Sequence, residues 1–151
     1  MSRFRILVAD QAEAIFYDSP TLAAAPREVA RISNPAAHLH DRDLGSERPG
    51  RSYESFGNAR HAIERENDPR QREAEGFARR IARRLDDARR SEDFEKLVVV
   101  AGPAFLGMLR AAMSRPTRAC VVHEIHKDLV HGPIEVLREH LAQCAEEIAA
   151  A

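Results

Sequence analysis

Leu97-Val98-Val99-Val100-Ala101-Gly102-Pro103 (LVVVAGP) is the stretch that decides the fold. Five apolar residues without a polar break are too few for a helix and are closed by Gly-Pro punctuation. Such a run reads as a strand buried on both faces, which is the position of a central parallel strand. Pro103 then suits the first turn of a helix. That helix is predicted over 103–113, with Phe105, Leu106, Leu109 and Met113 available to a core, and Arg115-Pro116 ends it.

Upstream, Arg3 to Ala9 (RFRILVA) begins in alternation and ends in a second apolar run, again a strand buried on both faces. Asp10-Gln11 reads as a tight turn, with Asp10 bonding its own backbone. A second strand spans 12–17 (AEAIFY), and a third, more exposed one spans 26–33 (PREVARIS). Connections this short make the three an antiparallel meander. Asp68-Pro69 supplies an N-cap and a first-turn proline. Ala74, Phe77, Ala78, Ile81, Ala82, Leu85 and Ala88 follow at spacings of three and four, so an amphipathic helix is predicted over about 69–90. Downstream, 118–125 (RACVVHEI) reads as a fifth strand. Gly132-Pro133 opens a last helix with Ile134, Leu137, Leu141, Cys144 or Ala145, and Ile148 on one stripe.

The order is three strands, a long loop, then helix, strand, helix, strand, helix. It predicts an α/β domain: a mixed five-stranded sheet in the ribonuclease-H-like order 3-2-1-4-5, with helices on both faces. The 151 residues fit one domain, 1–151. Asn34 to Asp68 shows no sustained period and holds Pro35, Gly45, Pro49, Gly50 and Gly57, so 35–68 is read as a long loop. Irregular segments of that length are functional or disordered.

Composition excludes more than it selects. Basic and acidic groups number 23 and 24, for a net charge of −1, so there is no global attraction to nucleic acid or to an anionic membrane. No apolar run reaches the roughly 18 residues of a membrane span. Two cysteines, Cys120 and Cys144, make no disulfide framework. The expectation is a reduced, soluble, cytoplasmic protein without a membrane partner. Locally the balance shifts: residues 69–93 carry eight basic groups against six acidic ones. Of the basic residues, 21 are arginine and only Lys96 and Lys127 are lysine, a bias that genomic base composition alone could produce.

Catalytic patterns are thin. A two-metal nuclease needs several carboxylates at the sheet; Asp10 closes the first strand, but neither the fourth strand's end nor the long helix's core stripe carries a carboxylate. His38 with His40, and His123 with His126, give two ligands each and no zinc site. Spacing three in a strand puts His123 and His126 on opposite faces. There is no nucleophile elbow, dinucleotide fingerprint or Walker A loop. The helix N-terminus at Gly102 could hold an anion, although a turn that merely packs is the better explanation. No catalytic residue, metal or cofactor is assigned.

Arginine patterning is more informative. At 100° per residue, Arg72, Arg79, Arg83 and Arg90 fall within about 40° on the long helix, opposite its apolar stripe. Arg80 and Arg84 flank them. Such a ridge could follow a phosphate backbone, or be a solvated face tempered by Glu75–Arg79 and Arg83–Asp87 pairs. Arg48, Arg51, Arg60 and His61 form a second basic group in the loop, diluted by Asp41, Asp43, Glu47 and Glu54.

The ordered set Asp43–Arg51 (DLGSERPGR), Arg60-His61-Ala62, Asp68-Pro69 through Phe77-Ala78, Leu97 through Leu109-Arg110, and Lys127-Asp128-Leu129 resembles the bacterial host attachment proteins. These are also classed as family twelve of the bacterial relatives of archaeo-eukaryotic peptide release factors. The resemblance covers nearly the whole chain. It implies a ribonuclease-H-like domain similar to the central domain of those release factors. There, a Gly-Gly-Gln tip after the third strand promotes hydrolysis of peptidyl-tRNA. Here the corresponding loop reads Phe56-Gly57-Asn58-Ala59-Arg60-His61, with one glycine missing and the shorter Asn58 in place of Gln. Since about 1 Å of misplacement can cost a hundredfold in rate, hydrolysis is not carried over. The implied function is a non-catalytic or weakly active, translation-associated module. It would bind tRNA or the ribosome through Arg48, Arg51, Arg60, His61, Arg72, Arg79 and Arg83. The alternative is a protein-interaction factor needed for attachment to host cells, with no nucleic-acid partner. An exposed fifth-strand edge could pair between subunits and give a homodimer.

Overall fold

The computed structural model describes residues 3–37 and 68–150. Strand β1 (Phe4–Ala9) is buried along its whole length. It pairs antiparallel with β2 (Glu13–Ser19) and parallel with β4 (Lys96–Val100), in a register that sets Leu7 beside both Phe16 and Val99. Strand β3 (Arg27–Ser33) closes one edge and β5 (Val121–Ile125) the other, giving the order β3-β2-β1-β4-β5. The mixed five-stranded α/β sheet and its strand order are those read from the sequence.

Alternation sorts β1 between two cores. Leu7 and Ala9 join Phe16, Leu97 and Val99 under helices α1 (Pro69–Arg90) and α2 (Pro103–Ala112). Phe4, Ile6 and Val8 join Ile15, Val98 and Val100 over α4 (Ile134–Ala150). Helices therefore cover both faces, as the two-sided burial of β1 and β4 requires. All seven apolar residues of the α1 stripe are buried. The stripe on α4 is shorter than expected: Leu137, Leu141 and Cys144 are buried, but Ile134 and Ile148 remain 38% and 37% exposed. A 17-residue helix runs about 26 Å, whereas a five-residue strand spans about 17 Å. The helix ends overhang the sheet.

The fifth strand is shorter than the sequence reading. Arg115–Cys120 forms a helix, α3, and β5 begins only at Val121. Ser114 is its N-cap, accepting from the Thr117 amide at 3.4 Å, and a proline sits in the first turn. The cap and Pro116 outweigh the strand preference of the valines that follow. Residues 35–37, read as the start of the long loop, are helical, and the rest of that loop up to residue 67 lies outside the described residues.

A polar clasp fastens α3 to α1. Asp86 Oδ1 accepts from Ser114 Oγ at 2.6 Å and from the fully buried Thr117 Oγ1, while Arg89 Nε donates to the same threonine oxygen at 3.1 Å. Burial pushes the Asp86 carboxyl up. The two hydroxyl hydrogen bonds and the nearby Arg89 and Arg90 outweigh it and hold the group below its ordinary value.

At its end α1 stops in a Schellman arrangement. Glu92 N donates to Arg89 O and Asp93 N to Ala88 O, with Glu92 at φ 59°.

Two substitutions should stabilise the chain. Gly76 lies inside α1 with nothing closer than 3.8 Å to the place of a Cβ, so Gly76→Ala should add about 1 kcal/mol. Glu92→Gly should add about 0.5 kcal/mol by relieving the left-handed residue. Urea midpoints that fail to rise for both would contradict this account of α1.

Asp86→Asn should cost about 2 kcal/mol at neutral pH. A lowered carboxyl stabilises the fold above its ordinary value of 3.8, and that contribution is lost as pH falls through the folded value. Wild-type stability should therefore drop more steeply than that of Asp86→Asn as pH falls below about 4. Parallel pH profiles would show the clasp to be energetically silent.

Candidate nucleic-acid interface

Helix α1 is built to present one face. Asp68 Oδ1 accepts from the Arg70 amide at 2.9 Å, Pro69 follows the cap, and the 22 residues run about 33 Å. With Ala74, Phe77, Ile81 and Leu85 turned to the sheet, the opposite face belongs to arginine. Arg72, Arg79 and Arg83 are all exposed on it. Arg48, Arg51, Arg60 and His61 lie outside the described residues, as does Asn58.

Neither i,i+4 pair considered from sequence is made. Asp87 is met by Arg90 at 3.4 Å, and Glu75 accepts from Gln71 Nε2 at 3.4 Å. Among the described residues, no carboxylate lies within 4 Å of Arg72, Arg79, Arg80, Arg83 or Arg84.

Arg83 is shared: with Arg80 and Arg84 it also lines a groove of about 650 Å³ between α1 and β3. The groove's far wall is Val29, Ala30 and Ile32. It exists because β3 is an edge strand whose α1-facing side is only partly covered. Two of the groove arginines are held from beneath by aromatic rings. Arg80 Cζ lies 5.3 Å from the Phe77 centroid, and Arg84 Cζ lies 5.6 Å from that of Phe16.

Arg5 lines the same groove and was missed as a site residue. Its side chain is only 11% exposed. It donates to both oxygens of Asp18, at 2.6 and 3.0 Å, and packs 5.5 Å over Phe94. The signal was available: alternation in RFRILVA sets Arg5 on the same face as Leu7, an inward position that a cation occupies only with a partner.

The remaining polar residues have structural partners. Asp10 Oδ1 accepts from the amides of Ala12 and Glu13, both at 2.8 Å, so it is the turn residue. His131 Nε2 stands 3.6 Å from its other oxygen. His123 reaches Glu147 on α4, whereas His126 reaches Glu124, which is clamped by Arg110 of α2. The two imidazoles belong to opposite faces of the sheet. Arg110 holds the Glu124 carboxyl below its ordinary value. Cys144 is buried, and burial pushes its thiol up to about 11. Among the described residues, no group of three or more His, Cys, Asp or Glu could hold a metal ion. No helix among them is long and apolar enough to cross a membrane.

The described residues thus form a mixed five-stranded α/β sheet whose longest helix exposes arginines on its outer face. The chain belongs to the host attachment family, whose description is "Protein required for attachment to host cells"; the match covers residues 5–141. No curated protein matches it significantly.

The Arg5–Asp18 pair should behave as a buried couple. Asp18→Ala, which strands Arg5, should cost about 2 kcal/mol, the 27% exposure of Asp18 moderating the penalty. Arg5→Met combined with Asp18→Ala should recover most of that loss in denaturant titration. A double variant no more stable than Asp18→Ala would show that the pair is not coupled.

Proposed function

We propose that this protein is a non-catalytic nucleic-acid-binding module acting in the cytoplasm, with tRNA or the ribosome as its partner. Three features support the reading. Arg72, Arg79 and Arg83 are exposed on one rigid helix face with no described carboxylate beside them. Arginine's planar fork suits phosphate oxygens. The sheet order β3-β2-β1-β4-β5 agrees with a ribonuclease-H-like domain related to the central domain of peptide release factors. The single observation that carries the reading is the α1 face. The second group, Arg48, Arg51, Arg60 and His61, would extend the same surface.

With a net charge of −1, attraction must come from this local field. Affinity should then fall steeply with salt. Each lost phosphate contact should reduce the slope of log affinity against log salt by about 1. A second reading, prompted by the family description, is a protein-interaction factor needed for attachment to host cells, with no nucleic-acid partner.

Fluorescence polarisation with labelled tRNA at graded salt separates them. The variant carrying Arg72→Ala, Arg79→Ala and Arg83→Ala should bind at least tenfold more weakly, with a slope lower by two to three. Unchanged affinity and slope would remove the surface. Reduced adhesion of a deletion strain with normal translation would favour the second reading.

A further inference from the structure

The groove between β3 and α1 has a different chemistry from the outer ridge. One wall is cationic, formed by Arg80, Arg83 and Arg84. The other is apolar, formed by Val29, Ala30 and Ile32. Its volume of about 650 Å³ falls within the range of small-molecule sites. A duplex backbone would use the arginines and leave the apolar wall unmatched. A simple anion would do the same, and would also meet Asp87 and Asp93, which line the groove too. An unstacked nucleotide uses all three features: phosphate on the guanidinium groups, the base face against apolar side chains, and amino or hydroxyl donors toward the carboxylates.

We propose that this groove receives one unstacked nucleotide of a single-stranded RNA segment. The proposal rests on the nucleic-acid reading above and deepens it. Arg83 stands between ridge and groove, so one backbone can run along Arg72 and Arg79 and turn inward at Arg83. Phe77 and Phe16 hold Arg80 and Arg84 in place, which lowers the ordering cost of binding. A peptide strand fits less well. The register of β3 on β2 shifts between Phe16 and Tyr17, leaving Val29 as an extra residue in a bulge. A bulge at the outer edge twists that edge away and works against strand addition.

The test uses the full chain and a labelled ten-nucleotide RNA, presented single-stranded and as one strand of a duplex. Single-stranded RNA should bind at least tenfold more tightly. Val29→Glu, at a residue 36% exposed, and Arg84→Gln should each abolish that preference, whereas Arg72→Ala should weaken both ligands equally. Photocrosslinking of a 4-thiouridine-containing RNA should map to peptides spanning 27–33 or 80–93. Equal binding of the two RNAs, a preference that survives both groove variants, or competition by an acidic peptide as effective as unlabelled RNA would overturn the groove site. Equal binding that Arg72→Ala still weakens would leave the ridge reading standing. Absence of RNA binding would overturn both.

Discussion

The side-by-side parallel pairing of β1 and β4 is the constraint from which the rest of the architecture follows. Both strands are almost wholly apolar and buried on both faces, so neither face of the sheet centre can meet water. A parallel pair cannot be joined by a hairpin and needs a crossover. The crossover here contains α1, which returns the chain to β4 and covers one face. The other face is covered by α4. One requirement thus accounts for the strand order, for helices on both faces and for the two separate cores.

Burying the centre leaves the problem at the margins. Both edge strands carry a register shift with a valine as the extra residue: Val29 in β3 and Val122 in β5, 36% and 38% exposed. Bulges blunt edges against pairing with another chain. This weighs against the homodimer that the sequence suggests through the fifth-strand edge. On β3 the opposite face is further occupied by charge. Arg31 bridges Glu13 at 2.8 Å and Glu28 at 2.9 Å, and this hydrogen-bonded cation holds the Glu28 carboxyl below its ordinary value. Among the described residues no such ion pairs close the α1-facing side of β3, where the groove lies.

What the sequence revealed follows from periodicity. LVVVA, RFRILVA and the α1 stripe have unmixed patterns, and burial reproduces them nearly residue by residue. The pattern misled where a local signal competed with it. RACVVHEI reads as one strand around its paired valines, yet Ser114 and Pro116 draw its first three residues into α3. The ends of α4 continue the apolar spacing past the sheet, because periodicity records phase and not the length of the surface beneath. Of the site, the ridge was legible as an angular cluster on one helix. The groove was not, because it needs β3 and α1 side by side, and residues about fifty apart in sequence give no periodic signal of contact.

The arginine excess looks like base composition when counted over the chain and like chemistry when sorted by position. On α1 alone the same side chain does three different things. Arg89 donates to a buried hydroxyl within the clasp that holds α3. Arg80 and Arg84 lie over Phe77 and Phe16 at the flank of the apolar stripe. Arg72, Arg79 and Arg83 stand exposed on the outer face. Lysine could fill the third role as a point charge and can lie over a ring, as Lys96 does 5.6 Å over Phe4, but its ammonium has no planar fork. The first two roles therefore use the planar guanidinium, which can donate edge-on and stack face-on, whatever the codon bias. They fix the helix and two of its guanidinium groups before any ligand arrives. A surface whose cations are already oriented loses less entropy on binding than one that must be ordered by its partner. The packing that stabilises α1 and the recognition proposed for it accordingly draw on the same side chains.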